Sequence, residues 1–435
     1  MKTIALVLLM GMSGAAAAGY TEAVGALKVE SGQPANKELD TLLAKPGKAL
    51  AKDARALALL AENQPALEFF RQAAEAPNDG YLLAPKPEKL NSKTPVPNFG
   101  AHVRLFKLLL IDAKVKAAQQ EAARSEKDLL AAAGFIEQLS AQKTGGMLSS
   151  LVGFLCLQKA APALADSLRG GSASPAYLKE LSARLEKTAA DQDSMGAAMQ
   201  EAADTAKGSI EESLNPSAMG EALKKVPLWK RFVVKKLQDK EFFDMVYAQF
   251  DAVEDEHAKV MTEAFRTNDP APALAFEKKL REGLAARKQA RDKRSQISQF
   301  FDGLKGGPET KKAMAEAMAD AMLEIATPSY EKLIPRYHVF LCELGVLRTA
   351  AAIKLYQRAR RRLPENLAQL VPAQLSAEAQ DSFNKFAPLT YSRTGKKFMV
   401  YSFGPDGKDD KGAPLDVEAY SETPAKNAGD IVFAD

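Results

Sequence analysis

Apolar residues recur at three- and four-residue intervals along most of this chain, the spacing that gathers them on one face of a helix. Asn63-Gln64-Pro65 reads as a helix start, with an N-cap and an early proline, and Leu67, Phe70 and Ala74 then share a face. Val103, Phe106, Leu109 and Leu110 form a second face, and Leu129, Ala133, Ile136 and Leu139 form a third behind a Ser125 cap. From Met147 to Leu168 the chain is apolar on most sides, as in the central helix of a bundle. Tyr177, Leu178, Leu181 and Leu185 follow. Leu228, Phe232, Val233 and Leu237 come after Pro227. A basic helix is expected over 276–301, then a stripe of Met314, Met318 and Met322 that reads as core packing, then a last helix reaching Arg362.

Near the end the period changes from helical to alternating. Phe398 and Val400 face one way, and Met399 and Tyr401 the other, as in a half-buried strand. Gly404-Pro405-Asp406-Gly407 supplies a turn, and a short apolar run closes the chain. The expected fold is mainly α: an irregular helical bundle or short α-solenoid, followed by a small α+β module with a three-stranded antiparallel sheet. The expected division is a signal peptide over 1–18, a helical body over 19–327 and the terminal module over 328–435. Residues 77–98 hold five prolines among Asn, Asp and Gly and read as a long loop within the body.

The beginning of the chain changes the picture most. Lys2 is a short positive region, Ile4 to Met10 an apolar one, and Ala16-Ala17-Ala18 offers a small-residue cleavage site. This predicts export, to the periplasm or beyond, with no membrane span left after cleavage. The two cysteines, Cys156 and Cys342, can then form one disulfide or stay as buried thiols.

Candidate chemistry is sparse. The three histidines, His102, His257 and His338, stand in no zinc-binding spacing, and no nucleophile elbow, P-loop or dinucleotide fingerprint is present. Asp251, Glu254, Asp255 and His257 read best as a solvated helix face. The basic stretches contain Arg287, Lys288, Arg291 and Arg294, and Arg360, Arg361 and Arg362. They are candidates for a polyanion, although few aromatics interleave them to stack bases, which argues against nucleic acid. The net charge of +4 adds no pull toward one. Asp406, Asp409 and Asp410 crowd three carboxylates into one loop, with Asp430 on the returning chain. Such a loop suits either water or a hard cation such as Ca2+.

From about 346 onward the elements resemble the globular part of the type II secretion major pseudopilins. The carrying segments are AIKLYQRARRRLPENLAQLVP, LTYSRTGKKFMVYSFGPDGKDD and GDIVF. The most specific residues are Tyr401 to Gly407 with Gly429-Asp430-Ile431. The resemblance implies a Ca2+-binding loop with Asp406 as a ligand beside the Phe403 carbonyl, and Asp409 and Asp410 match an acidic position loosely. The chain departs from the family where Arg336, His338, Glu343 and Arg348 interrupt the helix ahead of the tail, so it does not pack into a pseudopilus in the usual way. The whole chain is similar to exported bacterial proteins that join a helical body to such a tail. The expected role is a non-enzymatic structural or interaction protein of the bacterial envelope, near a secretion or pilus-like system. Its alternatives are a cell-envelope hydrolase with a site in the helical body and a polyanion-binding module.

Overall fold

The computed structural model describes residues 19–76, 98–141, 146–190, 194–213, 240–292, 307–326, 333–415 and 428–435. The helices are α1 (19–26), α2 (Gln33–Leu43), α3 (Gly47–Leu50), α4 (Ala54–Glu75), α5 (Phe99–Ala118), α6 (Ala122–Ser140), α7 (Gly146–Leu168) and α8 (Pro175–Ala190). They continue as α9 (Ser194–Ser213), α10 (Lys240–Thr267), α11 (Ala271–Asp292), α12 (Pro308–Ala326) and α13 (Leu333–Arg360). The strands are β1 (Gln380–Asp381), β2 (Ala387–Pro388), β3 (Thr390–Thr394), β4 (Lys397–Ser402) and β5 (Ile431–Ala434). The mainly α architecture ending in a three-stranded antiparallel sheet is the one the sequence predicts. The expected signal peptide, the helix after Pro227 and nearly all of the 77–98 loop lie outside the described residues.

Contacts divide the chain into two compact units. One holds α1–α8 with α13 and the strands; the other holds α9–α12. The helical body expected over 19–327 is therefore split between them.

In the first unit α5 is the central rod: Leu105 to Ala113 are all buried, so apolar residues meet neighbours on every side. Aromatic rings fill the space between it and α1, α4 and α6. Phe70 and Phe135 lie 4.9 Å apart, and Tyr20 meets Phe70 edge-on at 5.3 Å while its hydroxyl donates to Gln138 Oε1. Such pairs contribute about 0.5–1.5 kcal/mol each beyond their area. Gly134 permits the close approach of α6 to α4, because a Cβ there would stand 2.6 Å from the Ala74 carbonyl oxygen. α7 is long and apolar enough over Leu148–Leu168 to cross a membrane by length and composition, and half of that stretch is buried.

α4 begins earlier than its proline suggests. Asp53 is the cap, accepting from the amides of Arg55 and Ala56, and Pro65 lies inside the helix. Asn63 is fully buried, donates to the Leu59 carbonyl and accepts from the Lys28 amide. It ties α4 to the end of α1 instead of starting a helix, and tertiary contacts offset the bond that Pro65 omits.

The terminal module follows α13. β4 is the middle strand, pairing Tyr391 with Val400 on one side and Val400 with Phe433 on the other. Phe398 and Val400 are buried on the face the alternation predicts. Lys354 of α13 bonds Asp435 at 2.6 Å and lies over the Phe398 ring. Glu186 of α8 holds Arg348 at 2.7 Å and accepts from the Ser376 amide. Arg169 donates to the Ala434 carbonyl and covers Phe433. Cys156 and Cys342 are both buried free thiols.

In the second unit Phe242, Val246, Phe250, Leu284 and Leu323 form the core, and Met314, Met318 and Met322 pack against it as expected.

Glu343 on α13 is buried, and burial lifts its carboxyl from 4.5 to about 7. Its folded value lies above its unfolded one, so its contribution is fully present at low pH and is lost as pH rises toward 7. Glu343→Gln is expected to match the wild-type chain near pH 4 and to exceed it by about 3 kcal/mol near pH 8 in denaturant unfolding. A difference that does not grow with pH would contradict this account of the residue.

Candidate functional site

A dense group of ionised side chains lies where α4, α5 and α6 meet. Arg71 projects from α4, Asp112 and Lys116 share one face of α5 at helical spacing, and Asp128 comes from the first half of α6. Arg71 donates from Nε to Asp128 at 2.6 Å and from Nη2 to Asp112 at 2.6 Å, while Nη1 reaches Glu68 at 3.3 Å. Lys116 bonds Asp112 at 2.9 Å and Asp128 at 2.8 Å. Arg71 and Asp112 are buried, and Asp128 has no exposure at all. Burial alone disfavours these charges, and only mutual pairing makes them tolerable. Burial raises the Asp128 carboxyl above its ordinary value despite Arg71 and Lys116 beside it.

These groups line the inner wall of a cleft of about 570 Å3, faced by Leu57, Leu60 and Val115. Two carboxylates and a lysine therefore converge at a cavity. Each is already bonded to an opposite charge, which leaves the cleft more polar than reactive. No motif marked these residues in the sequence. The one local signal is Asp112, the single acidic residue of α5, one turn ahead of Lys116.

At the C-terminal loop the aspartates have unequal roles. Asp406 accepts from the Lys408 amide at 3.1 Å, and Asp409 accepts from the Lys411 amide at 2.9 Å and from the Tyr401 hydroxyl at 3.1 Å. Burial, then Asp409, pushes that hydroxyl up to about 12. Asp430 is wholly buried and accepts from the amides of Gly412 at 2.6 Å and Asp410 at 3.3 Å. Burial raises its carboxyl, with Asp410 and Asp409 adding to the rise. The returning chain is fixed by Leu415 N to Asp430 O at 2.8 Å and Asp430 N to Ala413 O at 2.7 Å. Gly404 turns there with φ +70°, where a Cβ would run into the Gly429 carbonyl.

A second buried carboxylate, Asp381, holds the other side of the loop. It accepts from Ser402 Oγ at 2.7 Å, from the Phe403 amide at 2.8 Å and from the Phe383 amide at 3.0 Å. The sequence reading did not single out Asp381, since it lies 22 residues ahead of Phe403.

The loop therefore brings Asp410 and Asp430 together with Asp409 near them, and closes Asp406 onto its own turn. Asp410 Oδ2 is buried without a hydrogen-bond donor. Among the described residues no three His, Cys, Asp or Glu side chains are placed to hold a metal ion. A calcium ion would have to complete its six to eight oxygens from carbonyls and water around Asp410 and Asp430.

The basic residues are largely engaged. Arg287 and Arg291 both grip Asp320, at 2.8 and 2.6 Å, and Lys288 lies 3.7 Å from Glu324. Burial works against the Asp320 charge, but the two arginines outweigh it and hold the carboxyl below its ordinary value. Arg294 lies outside the described residues. Arg360 and Arg361 are exposed, and Arg362 faces Glu365 at 3.7 Å. Asp251 and Asp255 meet Lys207, whereas Glu254 and His257 are buried. That helix face is solvated only in part.

Compared with family models, with curated proteins and with solved structures, the chain matches none.

The geometry assigns the loop's order to Asp430, with Asp406 outside the network. In hydrogen exchange, Asp430→Ala is expected to speed exchange at the Asp410 and Gly412 amides at least tenfold, since one lost bond to a charged acceptor is worth about 1.5–3 kcal/mol. Asp406→Ala is expected to leave those two amides unchanged. Equal effects from both variants would refute the assignment.

Proposed function

We propose that this protein is an exported, non-enzymatic structural or interaction protein of a bacterial envelope, residing in the periplasm or outside the cell. The observation that carries the reading is the pairing in the α4–α6 cleft: Arg71, Lys116, Asp112 and Asp128 are spent on one another. The half-buried Glu186 and the buried Asp381 and Asp430 likewise serve as ties within the first unit and its terminal module. The chemistry is directed inward, to architecture.

Export rests on Lys2, the apolar run over 4–10 and the Ala16-Ala17-Ala18 site. Tyr20 sharpens it. The residue is 1% exposed in the first unit's core, so cleavage after Ala18 keeps it and a cut a few residues later removes it. The order of α13, a turn and β3–β4–β5 supports a pseudopilin-like tail, and with it a place beside a secretion or pilus-like assembly. Calcium at Asp410 and Asp430 would relieve the repulsion that the loop now offsets with amide donors.

A second reading keeps one specific observation: two carboxylates, one with a raised pKa, converge on a cavity. That arrangement suits an envelope hydrolase using Asp112 and Asp128.

The test begins with the full chain expressed in a Gram-negative host. The protein is expected in the periplasmic fraction with Gly19 as its first residue, and it should leave dye-labelled peptidoglycan sacculi insoluble. Added calcium is expected to slow exchange at the Asp410 and Gly412 amides. Recovery from the cytosol with Met1 intact would overturn export. Dye release that Asp128→Asn abolishes would replace the structural reading with the hydrolase, and unchanged exchange would remove calcium from it.

A further inference from the structure

Arg104 on α5 is buried, 8% exposed, and Nε has no hydrogen-bond partner. Other buried or half-buried arginines of the first unit carry a carboxylate each: Arg71 has Asp128, Arg184 has Glu180 and Arg348 has Glu186. Among the described residues no carboxylate pairs with Arg104. Burial lowers its affinity for the proton with no acidic neighbour offsetting it. A guanidinium whose Nε is shut off from water, with no counter-charge among the described residues, is a costly arrangement for a fold to contain.

Its direction is informative. Side chains on a helix lean toward its start, and Arg104 Nη1 lies 3.6 Å from where a Cβ on Gly100 would stand. The guanidinium thus points at the first turn of a 20-residue helix. Asn98 caps that turn, its side chain accepting from the Ala101 amide and its carbonyl from the amides of Ala101 and His102. The amides of Phe99 and Gly100 precede these and have no intrahelical acceptor. Gly100 is exposed and carries no side chain to cover them. Backbone donors at a helix start favour an anion by themselves, and a guanidinium adds a planar two-pronged donor matched to an oxyanion.

We propose that Arg104 and the first turn of α5 form a binding site for one oxyanion, a phosphate or carboxylate group held between the guanidinium and the amides of Phe99 and Gly100. The ion would supply the counter-charge that none of the described side chains supplies. A free small anion and an acidic lipid headgroup share this chemistry, and the experiment separates them.

Hydrogen exchange of α5 is followed in the full chain with inorganic phosphate, against sodium chloride of equal ionic strength. A second series uses phosphatidylglycerol vesicles against phosphatidylcholine vesicles. Bound anion should slow exchange through site-exposing openings in proportion to its concentration over Kd, about tenfold at ten times Kd. Arg104→Gln should lose that protection while folding as well as the wild-type chain in chloride, since it removes an uncompensated charge. Arg104→Lys, which keeps the charge and loses the fork, should retain part of it. Protection by phosphate identifies a free oxyanion, and protection by phosphatidylglycerol alone identifies a lipid headgroup. Protection by neither, or equal protection in Arg104→Gln, overturns the site.

Discussion

The first unit depends on one constraint: Arg71 must be neutralised where it is buried. Its guanidinium reaches helices that are 41 and 57 residues away in sequence and joins them through Asp112 and Asp128. Lys116 bonds the same two carboxylates, which makes a ring of two cations and two anions with Glu68 at its exposed edge. Replacing such a group by apolar side chains is often neutral, whereas removing one member leaves a charge stranded. The network thus selects one arrangement of α4, α5 and α6 out of the many that alanine-rich helices could adopt. Small side chains set few steric limits on how helices slide, and directional bonds between them do.

The terminal module follows the same logic with different donors. Asp381 and Asp430 are buried carboxylates with no cationic partner among the described residues, and backbone amides take the place of arginine and lysine. The amides of Phe403, Asp410 and Gly412 belong to the loop itself, so the carboxylates define its course. Glu186, with Arg348 and the Ser376 amide, extends the pattern to the junction between α8 and the segment ahead of the sheet. Charge inside this unit fixes position, and the hydrophobic core provides the bulk of the stability.

Much of this fold was legible in the sequence. The spacing of Val103, Phe106 and Leu110 marks α5, and the alternation of Phe398 and Val400 marks β4 with the correct face inward. Both patterns are local, and burial acts on them directly. The start of α4 was not legible, because Asn63 looks like a cap until Lys28 is placed against it. The loop was legible as an acidic turn but not in its wiring. Asp406 and Asp430 both sit in the motif, yet Asp381, which shares the ordering of the loop with Asp430, carries no signal because it reaches the loop only when a distant segment returns. Arg71 and its partners carried no motif because their meaning lies in contacts across three helices. The site for chemistry, in a chain like this, is written in tertiary pairing.

The most direct test of this account is the opening free energy of the central α5 amides, measured by native-state hydrogen exchange in two variants. Arg71→Met alone is predicted to lower it by about 3–5 kcal/mol, because Asp112 and Asp128 are then stranded with one cation between them. Exchanging Arg71, Asp112, Lys116 and Asp128 together for apolar residues of similar volume is predicted to recover most of that loss. A single variant within about 0.5 kcal/mol of the wild-type chain, in the range of an ordinary surface change, would contradict the account.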